Sequence, residues 1–287
     1  CLLRHGIPCC GKRIAFGREH LPCPNGGCPG CPHNRKFRSH KKGRFTQGRP
    51  DYDKLLNLCG NLITSADNPK ETEREFEPLL AVAARIRGRI IQLSHQARTP
   101  HLGSSLSFVE LLVYLYWNFL KISPGQVSSP DRDRFILSKG HGITTLYSVL
   151  AERGFFSPEI FEDYAQAGSP LPEHPSPQCV PGIEAATGSL GHGLSIATGI
   201  ALASKMNGIP FDVVTLLSDG ECNEGSTWEA ALLAPVHKLD NLIAIVDFNK
   251  WQATGRSAEI TALEPLEKKF SAFGWNSTRI DGHDFLQ

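Results

Sequence analysis

The sequence predicts an α/β fold built on a mostly parallel β-sheet. Two short apolar runs, Val213–Leu217 and Leu242–Val246, have the β-branched composition of buried strands. A helical stretch from about Ser226 to His237 lies between them. Strand, helix and strand in this order predict a βαβ unit, in which the strands are parallel and the crossover is right-handed.

The other elements are predicted from periodicity and from capping residues. Helical apolar spacing runs through residues 79–93, and Pro78 suits the first turn of that helix. Ser107 suits the N-cap of a second helix that continues to Phe119. The short apolar run Arg134–Leu137 predicts a strand. The remaining predicted elements are helices at 143–152, 158–166 and 191–206 and a strand at 276–280.

Composition divides the chain into two parts. Residues 1–50 hold eleven Lys or Arg residues, a single acid (Glu19) and six of the nine cysteines. They show neither helical nor strand periodicity, which predicts a poorly ordered, basic, Cys-rich extension and linker over residues 1–72. The folded domain is predicted at 73–287, and residues 1–50 are expected to be dispensable for its folding.

The same composition bears on partners and compartment. The remaining cysteines are scattered, and no run approaches the ~20 apolar residues of a membrane span, which predicts a reduced, cytoplasmic protein without membrane contact. Closely spaced thiols and imidazoles in the extension could bind zinc tetrahedrally, although a poorly ordered extension is the simpler interpretation. These residues are His20, Cys23, Cys28, Cys31 and His33.

Polar residues follow the ends of the two central strands. Asp219 and Asn249 each stand just after an apolar run. Because parallel strands end at one edge of a sheet, both side chains are expected in one crevice. Carboxylate and amide oxygens suit Mg²⁺ or Ca²⁺, and so few protein ligands suit a cation that also binds phosphate. Such residues are also ordinary turn formers, so the residues alone leave both interpretations open.

A series of motifs in one order resembles the transketolase family. Ser218-Asp219-Gly220, Glu224-Gly225 and Asp247-Phe248-Asn249-Lys250 are similar to the thiamine diphosphate fingerprint of that family, which begins Gly-Asp-Gly and ends in Asn. The resemblance extends from about Ala81 to the C-terminus. It also includes Pro100–Leu106, Arg132–Phe135, Leu137–Gly142, Glu173–Pro175 and Thr187–Gly193.

The resemblance implies a doubly wound, mostly parallel sheet with helices on both faces, the thiamine-diphosphate-binding fold. It implies thiamine diphosphate and Mg²⁺ (or Ca²⁺) as cofactors, with Asp219, Asn249 and the backbone carbonyl of Trp251 as metal ligands. The segment 188–190 would pass under the aminopyrimidine ring, where small residues allow close approach of the backbone. The cofactor-binding residues that the resemblance implies are His141, Gly188, Ser189, Leu190, Asp219, Gly220, Asn249 and His283.

Histidines and one acid take the other implied roles. His101 and His174 would contact the sugar and help to move protons, a task suited to imidazole near neutral pH. His141 and His283 would lie near the diphosphate. Glu224 matches a buried acid at the subunit contact of the family, and it is predicted to be catalytic together with His101 and His174. A single loop histidine is more often solvated or hydrogen bonded, so these roles depend on the motifs around them.

Three residues depart from the family pattern. Pro100 replaces a Gly before the first histidine. Ser218 replaces the first Gly of Gly-Asp-Gly, which is tolerated if no positive φ is needed there. Ala165 stands where full-length transketolases commonly carry an Arg that grips the sugar phosphate. Because Ala cannot bind phosphate, the substrate is expected to be unphosphorylated or to be held differently.

The resemblance covers only half of a transketolase active site. In the family, a second domain donates a Glu to the pyrimidine across a subunit interface, and no such domain follows Gln287. We therefore expect either a fragment or the N-terminal subunit of a split transketolase, truncated near its C-terminal end. Joined by a C-terminal, pyrimidine-binding subunit, it would transfer a two-carbon ketol unit between small sugars, in a symmetric heterotetramer with two copies of each subunit.

Other functions stay open at this point. One is a related thiamine diphosphate enzyme, with a deoxyxylulose-phosphate-synthase-like condensation or a transfer to a carrier. Another is a non-catalytic remnant that binds the cofactor, or that binds nucleic acid through the basic extension. Nucleic acid is not the expected partner, because the motifs above lie outside the basic segment.

Overall fold

A computed structural model describes residues 2–4, 69–177 and 179–287. The candidate zinc residues lie outside this part of the chain. Five described strands form one sheet in the order β2-β3-β4-β1-β7, and two further strands, β5 and β6, form a small antiparallel ribbon. The strands are β1 (Leu2–Arg4), β2 (Arg134–Leu137), β3 (Val213–Ser218), β4 (Leu242–Asp247), β5 (Trp251–Gln252), β6 (Gly255–Arg256) and β7 (Asn276–Thr278).

Helices connect these strands. The α-helices of the described residues are α1 (Pro69–Ala97), α2 (Leu102–Leu106), α3 (Val109–Tyr114), α4 (Ile143–Glu152), α5 (Gly193–Asn207), α6 (Gly225–Val236), α7 (Ser257–Ile260) and α8 (Leu266–Ala272). A π-helical turn, Leu115–Phe119, continues α3. Short 3-10 helices occupy Pro124–Gln126, Gly140–Gly142, Pro158–Asp163 and Gly220–Asn223.

The sheet separates two apolar cores. Strand β3 pairs in parallel with β2 on one side and with β4 on the other, which confirms the predicted βαβ unit. Successive strand residues point to opposite faces. Phe135 and Val214 pack with α1, α3 and α4, whereas Ile136 and Val213 pack with α5, α6 and α8. The prediction of a doubly wound sheet with helices on both faces is therefore confirmed.

Strand β1 differs from the sequence prediction. The extension was expected to contain no regular structure, yet Leu2–Arg4 pairs antiparallel with β4 on one side and with β7 on the other. Three residues are too few to show a period of two in the sequence. The strand joins β7 to the rest of the sheet, so the predicted dispensability of residues 1–50 now excludes these three residues.

Three helix predictions also need correction. Helix α1 begins at Pro69 and contains Pro78, because the Glu- and Lys-rich residues before Pro78 are good helix formers. Ser107 ends α2, and Phe108 is the N-cap of α3. The segment predicted as a helix at 158–166 is a 3-10 helix that ends before Ala165, whose φ of 61° is left-handed. None of the described helices is both long and apolar enough to cross a bilayer.

Candidate active site

The carboxyl ends of β2, β3 and β4 bring charged side chains together. Lys139 follows β2, Asp219 follows β3, and Asp247 is the last residue of β4. The short 3-10 helices after β2 and β3 turn the chain sharply at this edge. Because the strands are parallel, this edge is the crevice where open α/β sheets bind ligands.

Asp219 is fully buried at the centre of this edge. Its Oδ1 accepts a hydrogen bond from the backbone N–H of Gly220 at 2.9 Å. Its Oδ2 accepts one from the backbone N–H of Lys250 at 3.1 Å and one from Ser257 Oγ at 2.5 Å. Burial raises the pKa of the carboxyl group, while these donors oppose that rise. The carboxylate therefore contacts the loop that contains Asn249.

The Asn249 loop presents oxygen donors beside Asp219. Asn249 Nδ2 lies 3.3 Å from Asp247 Oδ2, and its Oδ1 accepts a hydrogen bond from the backbone N–H of Trp251 at 2.9 Å. The Asp219 carboxylate and the Asn249 amide oxygen are hard ligands of the kind that Mg²⁺ prefers. The residues present thus fit a divalent cation.

A buried lysine was not singled out from the sequence. Lys139 is fully buried, and its Nζ lies 2.5 Å from Asp247 Oδ2, 3.0 Å from the carbonyl oxygen of Ser104 and 4.5 Å from the centre of the Phe108 ring. Burial lowers its pKa, and Asp247, Asp219 and Glu221 oppose that decrease. One buried ammonium group thus contacts one carboxylate and lies near enough to two others for their charge to raise its pKa. Three carboxylates near one lysine favour a further cation at this edge.

Three of the four predicted histidines lie together. The ring centres of His101 and His141 are 5.0 Å apart, and His141 Nε2 lies 2.8 Å from Ser104 Oγ. Burial lowers the pKa of His141 to about 4, with Lys139, His101 and His174 acting in the same direction. Burial and the neighbouring His174 also lower the pKa of His101, while Glu173 opposes them. His101 and His141 are therefore neutral at pH 7.

A glycine loop, defined as Gly188–Gly191, lies against this histidine cluster. A Cβ atom at Gly188 would stand 2.6 Å from Cδ2 of His174, and the φ of Gly188 is 131°. A Cβ atom at Gly140 would stand 2.7 Å from the carbonyl carbon of Thr187. Only glycine therefore fits at both positions without a shift of the neighbouring atoms. The loop, including Ser189 and Leu190, is held close to the ends of the strands.

His283 lies at a different part of the edge. Its Nδ1 is 2.8 Å from Glu110 Oε2, and Arg87 binds both oxygens of the same carboxylate. A cavity of about 300 Å³ is shared by His283, Asp247, Asn249 and Lys250, together with Ser107 and Phe108. His283 and Asn249 therefore line the same cavity, and the other three predicted histidines are not among the residues that line it.

The remaining sequence-predicted residues take separate positions. Glu224 is the N-cap residue of α6 and is exposed, so the burial expected of it is absent in the single chain. The side chain of Trp251 is 57% exposed, which leaves only its backbone near Asn249. Ser218 lies in the strand β3 and has no positive φ, so serine is tolerated there. Ala165 is half-buried, and its backbone N–H bonds the carbonyl oxygen of Leu171 at 3.0 Å.

Comparison with known proteins agrees with this geometry. The family model for the transketolase thiamine diphosphate binding domain matches residues 80–287. The chain is 47% identical over 184 residues to the 6-deoxy-6-sulfo-D-fructose transketolase subunit SqwG of Clostridium sp. (strain MSTE9), covering 64% of this chain and 67% of that protein. It is 38% identical over 210 residues to an apulose-4-phosphate transketolase subunit of Phocaeicola vulgatus, covering 73% and 74%.

Solved structures show the same relationship. The transketolase from Campylobacter jejuni subsp. jejuni NCTC 11168 matches with a TM-score of 0.65 and 32% identity, over 68% of this chain and 32% of that one. The chain thus spans about a third of the length of the solved transketolases it matches. The chain belongs to the transketolase family, and its residues 80–287 form the thiamine diphosphate binding domain of that family.

Proposed function

We propose that this chain is the subunit of a split transketolase that holds the diphosphate end of thiamine diphosphate through Mg²⁺. With a pyrimidine-binding partner subunit it would transfer a two-carbon ketol unit between sugars. The observation that carries this proposal is the meeting, at one sheet edge, of a hard donor set, a tight glycine loop and a histidine cluster. Both relatives described above are named as transketolase subunits.

Each part of the edge has a separate task in this proposal. Asp219, the Asn249 amide and the Trp251 carbonyl would hold Mg²⁺, which binds phosphate oxygens. The glycine loop would lie under the aminopyrimidine ring, and His283 would close the cavity beside the metal ligands. Thiamine diphosphate, when bound, supplies the carbanion-stabilising electron sink, while the protein binds and orients it.

The histidine cluster would handle protons of the sugar. A neutral imidazole accepts a proton from a hydroxyl group and returns it, whereas an imidazolium cannot accept one. The lowered pKa of His101 keeps its ring neutral at pH 7. His174 lies against Gly188 of the glycine loop, and it is near enough to His101 to lower the pKa of that residue. His101 and His174 are therefore the proposed proton carriers, and His141 orients Ser104 through a hydrogen bond of 2.8 Å.

The substrate is proposed to be a ketose. The group at the end of the sugar far from its carbonyl would be bound by residues other than Ala165. The names of the two relatives specify a sulfonated sugar and a sugar phosphate, which are both anionic. Ala165 supplies no cation, and the nearby Glu173 is acidic. An anionic group at the far end of the sugar would then bind to the partner subunit.

The experiment compares the purified chain alone with the chain mixed with a pyrimidine-binding transketolase subunit. The chain alone should bind Mg²⁺ and thiamine diphosphate weakly and should show no ketol transfer and slow hydrogen–deuterium exchange at the thiazolium carbon. The mixture should gain both activities. Robust transfer by the chain alone would contradict the split-subunit proposal, because an acid of this sequence would then replace the Glu of the partner.

A further inference from the structure

Glu221 is a buried acid that the proposed function uses neither as a metal ligand nor as a contact of the cofactor. Its side chain is fully buried between the ends of β2 and β3 and the glycine loop. It is separated by one residue from Asp219, yet it makes no contact with the Asn249 loop in the described hydrogen bonds. A carboxylate buried this deeply is costly unless its oxygens are satisfied by donors.

Donors from three separate segments satisfy Glu221. Its Oε1 accepts hydrogen bonds from Ser138 Oγ and from the backbone N–H of Gly191, the latter at 2.8 Å. Its Oε2 accepts one from the backbone N–H of Ser218 at 3.2 Å. In return, Ser218 Oγ accepts a hydrogen bond from the backbone N–H of Glu221 at 3.2 Å. One side chain thus joins the end of β2, the end of β3 and the glycine loop.

The glycine loop is held through its backbone. Ser226 Oγ donates to the carbonyl oxygen of Gly191 at 2.9 Å, and Glu221 binds the N–H of the same residue. At its start, Thr187 Oγ1 donates to the carbonyl oxygen of Leu137 at 2.6 Å. A Cβ atom at Gly193 would overlap Ser138 Oγ, so the chain after the loop rests directly on the serine that Glu221 holds.

We propose that Glu221 is a positioning residue that fixes the glycine loop for cofactor binding. This inference rests on the proposed function, in which the loop lies under the aminopyrimidine ring. It also gives a reason for Ser218, since a glycine at this position would have no hydroxyl group to accept the N–H of Glu221. A carboxylate suits the junction because Ser138, Gly191 and Ser218 all donate hydrogen bonds to it. A glutamine would place its NH₂ group against one of these donors.

The test uses the full chain with Mg²⁺ and thiamine diphosphate. Isothermal titration calorimetry gives the dissociation constant, and thermal unfolding without cofactor gives the stability. Glu221→Gln should weaken binding by about 3- to 10-fold, and Glu221→Ala by about 10- to 100-fold, as is common when a supporting residue of a site is removed. Ser138→Ala removes a donor to Glu221 and no charge, so a weakening of binding by this variant as well is the expected signature of positioning.

The chain offers a matched control in Asp133. This carboxylate is 2% exposed and also accepts two backbone N–H groups, those of Lys121 and Asp212, each at 2.9 Å. It lies at the opposite, amino end of the strands. Asp133→Asn should lower the unfolding temperature as Glu221→Gln does, and it should leave the cofactor dissociation constant within about 2-fold, because the two sites are independent.

The outcomes separate this inference from the proposed function. If the unaltered chain fails to bind Mg²⁺ and thiamine diphosphate, the proposed function fails. If it binds and both Glu221 variants bind equally well, the positioning role is wrong. Equal weakening by Asp133→Asn would also refute it, because the effect would then come from general destabilisation. If Glu221→Ala does not fold, Glu221→Gln and Ser138→Ala decide the matter by the same criterion.

Discussion

The two ends of β2, β3 and β4 treat buried charge in different ways. At the amino end, Asp133 binds two backbone N–H groups, and Arg132 forms a two-point ion pair with Glu184. At the carboxyl end, Lys139 is surrounded by three carboxylates, and two neighbouring histidines have lowered pKa values. The carboxylates at the amino end thus have an arginine or backbone N–H groups as partners, whereas the carboxyl end places three carboxylates near a single lysine.

This difference between the two ends indicates that the charges at the amino end stabilise the fold, whereas those at the carboxyl end favour the binding of a cation. Balanced buried pairs need nothing further, because each group already has partners. A cluster with excess negative charge is costly by itself and becomes favourable when a cation binds. The comparison therefore predicts that equivalent substitutions at the two ends have different consequences for ligand binding.

The largest expected effect concerns Asp219. Asp219→Ala removes the only formal charge among the proposed metal ligands, so Mg²⁺-dependent binding of thiamine diphosphate should weaken about 100-fold or more. Asp133→Ala should instead cost about 1–3 kcal/mol of stability, because it leaves buried N–H groups without acceptors. Calorimetry and thermal unfolding measure the two effects. An unchanged cofactor affinity for Asp219→Ala would show that the metal assignment is wrong.

The next effect concerns stability after loss of a buried cation at either end of the strands. Lys139→Met leaves buried carboxylates without their cation and should cost about 3–5 kcal/mol. Arg132→Met removes one partner of the buried pair at the amino end and should cost a similar amount. Added Mg²⁺ should raise the unfolding temperature more in Lys139→Met than in Arg132→Met, because the excess negative charge in the first variant lies at the proposed metal site. Equal responses of the two variants to Mg²⁺ would contradict the proposed difference.

A smaller effect is expected at the glycine loop. Gly188→Ala places a Cβ atom 2.6 Å from Cδ2 of His174 at a positive φ, so the loop or the ring must shift. Gly168 also has a positive φ, of 81°, but in the part of the chain that the structure describes no atom lies within 4 Å of such a Cβ. Both variants should lose about 1 kcal/mol from backbone strain, and only Gly188→Ala should weaken cofactor binding. Equal affinities would show that contact with His174 does not matter.

The last effect concerns pH. The pKa of His141 is about 4 in the folded chain, and an unperturbed histidine has a pKa near 6.5. Between these values the unfolded chain binds more protons, so stability contributed by neutral His141 is present above about pH 6.5 and is lost as pH falls towards about 4. His141→Asn should therefore show a smaller decrease of unfolding temperature across this window. If the unfolding temperature of His141→Asn depends on pH as that of the unaltered chain does, His141 does not contribute this pH dependence.

The central elements could be predicted because their physical signals are local. The apolar runs of β3 and β4 and the helix between them appear at nearly the predicted bounds. Ser107 was misassigned because its hydroxyl group is bound by a residue far along the chain: its Oγ lies 2.5 Å from Asp247 Oδ2. Strand β1 was missed because its partners in β4 and β7 lie near the other end of the sequence.

The sequence predicted the candidate metal ligands of the site, but it did not predict the buried residues that pack around them. Asp219 and Asn249 follow strand ends, and strand ends can be located from composition. Lys139 and Glu221 stand inside the same motifs, but spacing along the sequence does not reveal which buried groups they bind. Lys139 meets Asp247, and Glu221 meets Ser138 and Gly191, only after the sheet has assembled.

The backbone at Ala165 has a consequence for the side chains that can occupy this position. Its φ of 61° strains every residue other than glycine, and alanine already carries this strain. Replacement by a longer side chain therefore adds little backbone cost, and it can add charge next to Leu171, three residues before His174. Side chains of different size and charge can thus occupy this position without a change in the backbone conformation of the loop.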